Sequence, residues 1–215
     1  MRPEMDYSLY VCTDRDIMTT DTLEEAVELA IKGGATIIQL REKDCTSREF
    51  YELALSIKDI TDAYEVPLII NDRLDIALAV HADGVHLGQS DIPVAMAREI
   101  ADQMGLKDFI IGATAKTGEQ ARRAYEEGAD YLGSGAWYTT STKPDATPIA
   151  DGTYLEILKA APIPNVAIGG LTAGNCGRPL QLGASGIAVA GGIFQVPSVA
   201  EAVKAFKEIL KRSTP

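Results

Sequence analysis

Gly33-Gly34-Ala35-Thr36-Ile37-Ile38-Gln39-Leu40-Arg41-Glu42-Lys43 reads as a helix end, a buried strand and a polar strand exit in direct succession. The glycine pair suits a helix end because only glycine enters the left-handed cap conformation cheaply. Thr36–Leu40 is a short apolar run without clean alternation, as expected of a parallel strand buried on both faces. Arg41 and Lys43 follow two apart. Alternation along an extended segment aims both the same way, with Gln39 behind them on that face. Glu42 then points away, toward a helix partner.

The same helix-to-strand wording returns at Glu127-Gly128-Ala129-Asp130 and Leu182-Gly183-Ala184. Further apolar runs at Leu9–Cys12, Pro67–Ile70, Gly84–Leu87, Phe109–Gly112, Tyr131–Gly133, Val166–Ile168 and Gly186–Val189 bring the strand count to eight. Helical periodicity lies between them. Leu23, Ala26, Val27, Ala30 and Ile31 follow the i, i+3, i+4, i+7, i+8 rule, with Thr20, Asp21 or Thr22 as candidate caps. Leu53, Ile57, Ile60 and Tyr64 continue the pattern, as do Val199, Val203, Phe206 and Leu210. Eight repeated βα units predict an α/β protein, a (β/α)₈ TIM barrel filling residues 1–215 as one domain. A doubly wound open sheet is the rival. It usually carries a Gly-rich turn after its first strand, and Cys12-Thr13-Asp14-Arg15 is not one.

Composition narrows the function. The chain has 215 residues, 46% of them hydrophobic, and a formal net charge of −11. No basic run is present to neutralise a nucleic-acid backbone, so a nucleic-acid partner is not expected. A small phosphorylated ligand remains compatible, since it needs only a few local cations and amides. Cys12, Cys45 and Cys176 are too widely spaced for a zinc site and read as free thiols of a reducing compartment. The start of the chain has no apolar signal region, and no apolar stretch is long enough to span a bilayer. The expectation is a cytoplasmic protein with no membrane partner; an exposed apolar helix face would permit a homodimer.

In a barrel the residues just after each strand gather on one rim. Asp72 and Asp91 follow the third and fourth strands, where two hard oxygen ligands can share a Mg²⁺. Each has a second reading as a helix cap, Asp72 before Arg73–Val80 and Asp91 before Ile92–Gln103. Arg41 offers a planar fork and Lys43 a point charge, which suits a diphosphate. Asn71 and Lys143 would complete that shell. Gly169-Gly170 and Gly191-Gly192 follow strands seven and eight, the usual phosphate cradle of a barrel. The long connection from Ser134 to Asp151 is rich in hydroxyls and reads as a ligand loop. His81 and His86 lack a Ser or Cys nucleophile at a recognisable spacing and read as core or surface residues.

Taken together, Gln39–Lys43 (QLREK), Ile70–Arg73 (INDR), Asp83–Asp91 (DGVHLGQSD), Gly128–Gly133 (GADYLG), Thr140–Lys143 (TSTK) and Ala167–Thr172 (AIGGLT) resemble the thiamine phosphate synthase family. The resemblance implies a transferase joining 4-amino-5-hydroxymethyl-2-methylpyrimidine diphosphate to 4-methyl-5-(2-hydroxyethyl)thiazole phosphate. It implies that Gln39, Arg41, Lys43, Asn71, Thr114 and Lys143 hold the pyrimidine diphosphate, with Mg²⁺ on Asp72 and Asp91. Arg41, Lys43, Lys143 and Thr114 are then the catalytic set. Thr140 and Thr142, with backbone amides at Gly170, Ala190 and Gly191, would receive the thiazole phosphate. The chain departs from the family pattern in places. Gly135-Ala136-Trp137-Tyr138-Thr139-Thr140 lacks the prolines usual there, which predicts a less constrained loop. Thr114 and Lys116 stand where Ser and His are common, and Val189-Ala190-Gly191-Gly192 replaces a more usual Ser-containing stretch. Two other functions fit the same fold: a thiazole tautomerase and a non-catalytic barrel that binds a phosphorylated ligand. The first tends to use His at the place of Lys116; the second would show a broken carboxylate pair.

Overall fold

The computed structural model describes residues 5–140 and 147–213. Eight strands close a barrel in sequence order: β1 (Leu9–Cys12), β2 (Ile37–Leu40), β3 (Leu68–Asn71), β4 (Gly84–Leu87), β5 (Ile110–Thr114), β6 (Tyr131–Ser134), β7 (Asn165–Ile168) and β8 (Gly186–Val189). Every neighbouring pair is parallel, including the closing pair of β8 with β1. The helices between them are α1 (Leu23–Gly33), α2 (Ser47–Ala63), α3 (Leu74–Ala79), α4 (Val94–Gln103), α5 (Gly118–Glu126), α6 (Asp151–Ala160), α7 (Gly177–Gln181), α8 (Gly191–Phe194) and α9 (Val199–Ser213). This is the single-domain (β/α)₈ barrel expected from the repeated units. Three strands (Leu9–Cys12, Gly84–Leu87 and Gly186–Val189) have the bounds read from the sequence, and the ends of the other five differ by one or two residues. Phe109, expected to open the fifth strand, precedes it, and that strand runs on to Thr114.

The local rules hold where they were most specific. Thr22, one of three candidate caps, accepts the Glu25 amide at 3.2 Å and starts α1. Gly34 closes the same helix at φ 110°, and its amide reaches the carbonyls of Ala30 and Ile31. Gly128 and Gly183 take φ values of 95° and 104° after their helices, so the recurrent glycine marks the same turn each time.

The missing alternation has a direct cause, because both faces of each strand are covered. Leu9, Val11, Ile38, Leu40, Ile70, Val85, Ile111 and Ile187 face the helices in one continuous core. Tyr10, Cys12, Ile37, Ile69, Ile110, Tyr131, Val166 and Ala188 fill the barrel interior as a second. Toward the C-terminal end of the strands the interior positions turn polar: Gln39, Asn71, His86 and Thr114. The switch from apolar to polar along one face separates the packed base of the barrel from its mouth.

Below the mouth, a partly buried ion pair ties strand entries together. The Asp130 carboxylate accepts the Ile111 amide at 2.8 Å and the Arg98 guanidinium at 2.6 Å. Arg98 also donates to the carbonyls of Phe109 and Gly128, tying α4 to the entries of β5 and β6. Among the described residues no helix is long and apolar enough to cross a membrane.

Candidate active site

A cavity of about 1010 Å³ opens at the C-terminal end of the strands. Gln39, Arg41, Asn71, Thr114, Thr140, Gly170, Ala190 and Gly191, all expected at the site, line it. Segments far apart in sequence therefore meet at one mouth. Thr142 and Lys143 lie outside the described residues.

Asp72 and Asp91 line a smaller recess of about 380 Å³. The first follows directly on Asn71, which lines the main cavity; Leu74, Leu78, Ile92 and Ile100 supply the apolar side of the recess. Neither residue caps a helix. Helix α3 begins after Arg73 without a side-chain cap, and α4 begins after Pro93 in the same way. Asp72 instead takes a left-handed φ of 62°, and its carboxylate pairs with the Lys43 ammonium. Such a conformation is uncommon outside glycine and is enriched in Asp, Asn and His. Asp91 Oδ2 accepts the Gly88 amide at 2.6 Å, closing the turn after β4. Burial and the neighbouring Asp72 carboxylate push Asp91 above the usual aspartate range, against the pull of the Gly88 amide and Lys43. Two like charges held this close favour a cation beside them.

The strand exit at Arg41–Lys43 departs from the alternation expected. Strand β2 ends at Leu40, and the two cations separate. Arg41 leans toward Asp14 on the β1 side, with 3.7 Å between Nη1 and Oδ2. Lys43 reaches the other way, to Asp72 after β3. They bracket the strand end instead of sharing a face. Glu42 does point away from both, but its partner is Arg15 in the β1–α1 loop, at 2.9 Å from Nε, and not a helix residue.

A chain of hydrogen bonds, most of them buried, runs across the cavity floor. Gln39 Nε2 donates to the Tyr10 hydroxyl at 2.8 Å, and that hydroxyl meets the Tyr131 hydroxyl at 2.7 Å. Tyr131 meets His86 Nδ1 at 3.0 Å, and His86 Nε2 meets Thr114 Oγ1 at 3.0 Å. Burial lowers the His86 pKa to about 4, so its ring is neutral at ordinary pH. Cys12 lies in the same interior, where burial raises its thiol to about 12 and makes it a poor nucleophile. Sequence reading assigned no role to Tyr10, His86 or Tyr131. The parity that places Gln39 inside the barrel also places them there, through the pairings Asn71 with His86 and Gly112 with Tyr131.

On the far side, the exits of β6, β7 and β8 supply backbone. Trp137 and Tyr138 donate their amides to the carbonyls of Ile168 and Gly169 at 3.1 and 3.0 Å. Trp137 is buried, edge-on to Tyr154 with ring centroids 4.8 Å apart. The start of this loop is thus tied to the β7 exit by backbone bonds although it lacks proline. Gly170, at φ 66°, has no space for a side chain: a Cβ would sit 2.6 Å from the Thr139 carbonyl oxygen. Asn175 Nδ2 donates to the Gly170 carbonyl at 3.0 Å and holds that turn in place.

The donor set suits a hard divalent cation. Mg²⁺ is commonly held by one or two carboxylates, the rest of its shell being water and substrate phosphate. Asp72 and Asp91 are candidates for that pair, and no group of three or more His, Cys, Asp or Glu residues suited to a metal is found among the described residues. The arrangement fits a metal that arrives with a phosphorylated substrate better than one caged by protein.

The family model described as thiamine monophosphate synthase (TMP-TENI) matches residues 9–193. A Clostridium botulinum protein named thiamine-phosphate synthase is 46% identical over 208 residues, covering 97% of this chain and 96% of its own length. One of the same name from Ruminiclostridium cellulolyticum is 48% identical over 209 residues, covering 97% and 98%. The solved structure of a thiamine phosphate pyrophosphorylase from Pyrococcus furiosus superposes with a TM-score of 0.88 at 37% identity, covering 98% of both chains.

Proposed function

Because this chain belongs to the thiamine monophosphate synthase family, we propose that its barrel mouth joins the aminopyrimidine diphosphate to the thiazole phosphate, giving thiamine phosphate and pyrophosphate. The protein is a transferase. The observation that carries the residue assignment is the gathering of Arg41, Asn71, Thr114, Gly170 and Gly191 around one cavity, with the Asp72/Asp91 pair together in a second recess that begins one residue after Asn71.

The chemistry needs no side-chain nucleophile. The bond between the pyrimidine methylene carbon and the diphosphate oxygen breaks, and its electron pair leaves with the diphosphate. The electron-rich aminopyrimidine spreads the positive charge left on the carbon. The thiazole nitrogen then donates its lone pair to that carbon and forms the new C–N bond. What the protein must do is neutralise the departing group and orient the second ring.

Arg41 and Lys43 stand on either side of the β2 exit, where they embrace a diphosphate, and Lys143 and Asn71 join them in this reading. Asp72 and Asp91 would hold Mg²⁺, whose bound charge offsets that developing on the leaving oxygens. Lys43 is now paired with Asp72; in this reading it turns to the diphosphate once a cation sits on the carboxylates. Gln39 and Thr114 face the pyrimidine. The thiazole phosphate lies against the open backbone at Gly170, Ala190 and Gly191, with Thr140 and Thr142 as hydroxyl donors. The tautomerase and non-catalytic readings are not favoured by the relatives, and the intact carboxylate pair also argues against the second.

The test is the coupling assay itself. Purified protein given both substrates and Mg²⁺ is expected to form thiamine phosphate, identified by mass, and to show no tautomerase turnover in a parallel reaction. Asp72→Ala or Asp91→Ala should lower kcat at least about 100-fold with the barrel still folded, as for loss of a preorganised charge contact. Full activity in the doubly substituted protein would remove the metal assignment.

A further inference from the structure

The chain Gln39–Tyr10–Tyr131–His86–Thr114 crosses the barrel from β2 to β5 through four hydrogen bonds of 2.7–3.0 Å. Its two ends, Gln39 and Thr114, line the cavity together with His86. Such a chain has one of two polarities, because each hydroxyl in it accepts from one neighbour and donates to the other. The polarity is set at the glutamine. With Gln39 Nε2 donating, Tyr10 must pass its proton to Tyr131, and Tyr131 must pass its own to His86 Nδ1. A neutral imidazole that accepts at Nδ1 carries its hydrogen on Nε2, and donates it to Thr114 Oγ1.

From this we infer that Tyr10, Tyr131 and His86 are positioning residues that fix the hydrogen-bonding sense of the pyrimidine site. They turn the Thr114 hydroxyl into a donor toward the cavity and leave the Gln39 carbonyl oxygen as an acceptor. The inference rests on the reading of Gln39 and Thr114 as pyrimidine contacts; a ring bearing both a hydrogen-bond acceptor and an amino donor then binds with its acceptor at Thr114 and its amino group at Gln39. The reverse polarity would offer a glutamine donor and a threonine acceptor. The Tyr131 ring is held in place between its neighbours: it packs 5.5 Å from His86 and 5.7 Å from Tyr10 between ring centroids, and Gly112 is the space it occupies.

The tautomer of His86 is the direct readout and requires no substrate. The protein has two histidines. His81 is exposed at φ 53°, a conformation that asparagine tolerates, so His81→Asn leaves a single imidazole to observe. Nitrogen-15 NMR of that protein at neutral pH should show His86 neutral with its hydrogen on Nε2. A hydrogen on Nδ1, a protonated ring or an even mixture would overturn the inference. In Tyr131→Phe the imidazole loses the donor that selects its tautomer. The KM for the pyrimidine diphosphate should rise about tenfold, the size of one lost hydrogen bond, while the KM for the thiazole phosphate stays put. Equal change in both constants, or none, would contradict the positioning role. A wild-type protein unable to couple the substrates would count against the proposed reaction alone, since the NMR measurement decides the polarity separately.

Discussion

His86 is a residue whose behaviour with pH follows from where it sits. Its folded pKa is lowered to about 4 from 6.5, chiefly by burial. Between those values the unfolded chain takes up a proton that the folded chain refuses, so stability is full above the unfolded pKa and falls on acidification. The contribution lost between pH 7 and pH 5 should be about 2 kcal/mol. Urea unfolding at both pH values checks this, with His86→Gln expected to lose correspondingly less on acidification. Side-chain roles at this scale were unevenly legible in the sequence. Asp72 and Asp91 were readable as either caps or ligands, and the structure removes the cap reading because neither helix starts where those caps would require. The divergence of Arg41 and Lys43 was not readable. Alternation applies only while the chain is extended, and β2 stops at Leu40. In the sequence His86 reads only as a core or surface residue and Tyr131 has no assigned role, because a lone aromatic or imidazole in an apolar run looks like packing until the strand pairings place it beside Gln39 and Thr114.

Among the elements, the βα loops after β6, β7 and β8 act as a unit. Backbone bonds from Trp137 and Tyr138 to the β7 exit, and from Asn175 to Gly170, hold them in register. Gly170→Ala should push this assembly apart, since the added Cβ would lie 2.6 Å from the Thr139 carbonyl in a backbone conformation an L side chain rarely adopts. We expect a KM for the thiazole phosphate raised about tenfold or more, with the KM for the pyrimidine diphosphate little changed. Steady-state kinetics with each substrate varied in turn gives the answer, and equal effects on both would show that the cradle is not divided as proposed. The strands and most helices were legible from glycine turns and apolar periodicity. The pinning of the Gly135–Thr140 segment was not, because it rests on backbone bonds to a strand more than thirty residues away.

For the molecule as a whole, the barrel works because its interior is sorted by height: apolar and aromatic at the base, polar at the mouth. Gly112 is one place where that packing leaves no tolerance. A Cβ there would stand 2.1 Å from the Tyr131 ring, so Gly112→Ala should destabilise the fold by roughly 1–3 kcal/mol, or more if the ring cannot shift. Thermal unfolding should register a loss of about 2–4 °C per kcal/mol. An unchanged melting temperature would mean that the interior is looser than described. The (β/α)₈ topology was legible because each unit repeats the same punctuation. The sharing of the rim between a main cavity and a carboxylate recess was not, since it depends on how far each loop stands off the strand ends. Binding of inorganic pyrophosphate, followed by isothermal titration calorimetry with Mg²⁺ and then with excess chelator, tests the central claim most directly. The account predicts that wild-type affinity drops about tenfold or more on removing Mg²⁺, and that Asp72→Ala and Asp91→Ala bind weakly in either condition. Equal affinity with and without Mg²⁺, unaltered by either substitution, would contradict it.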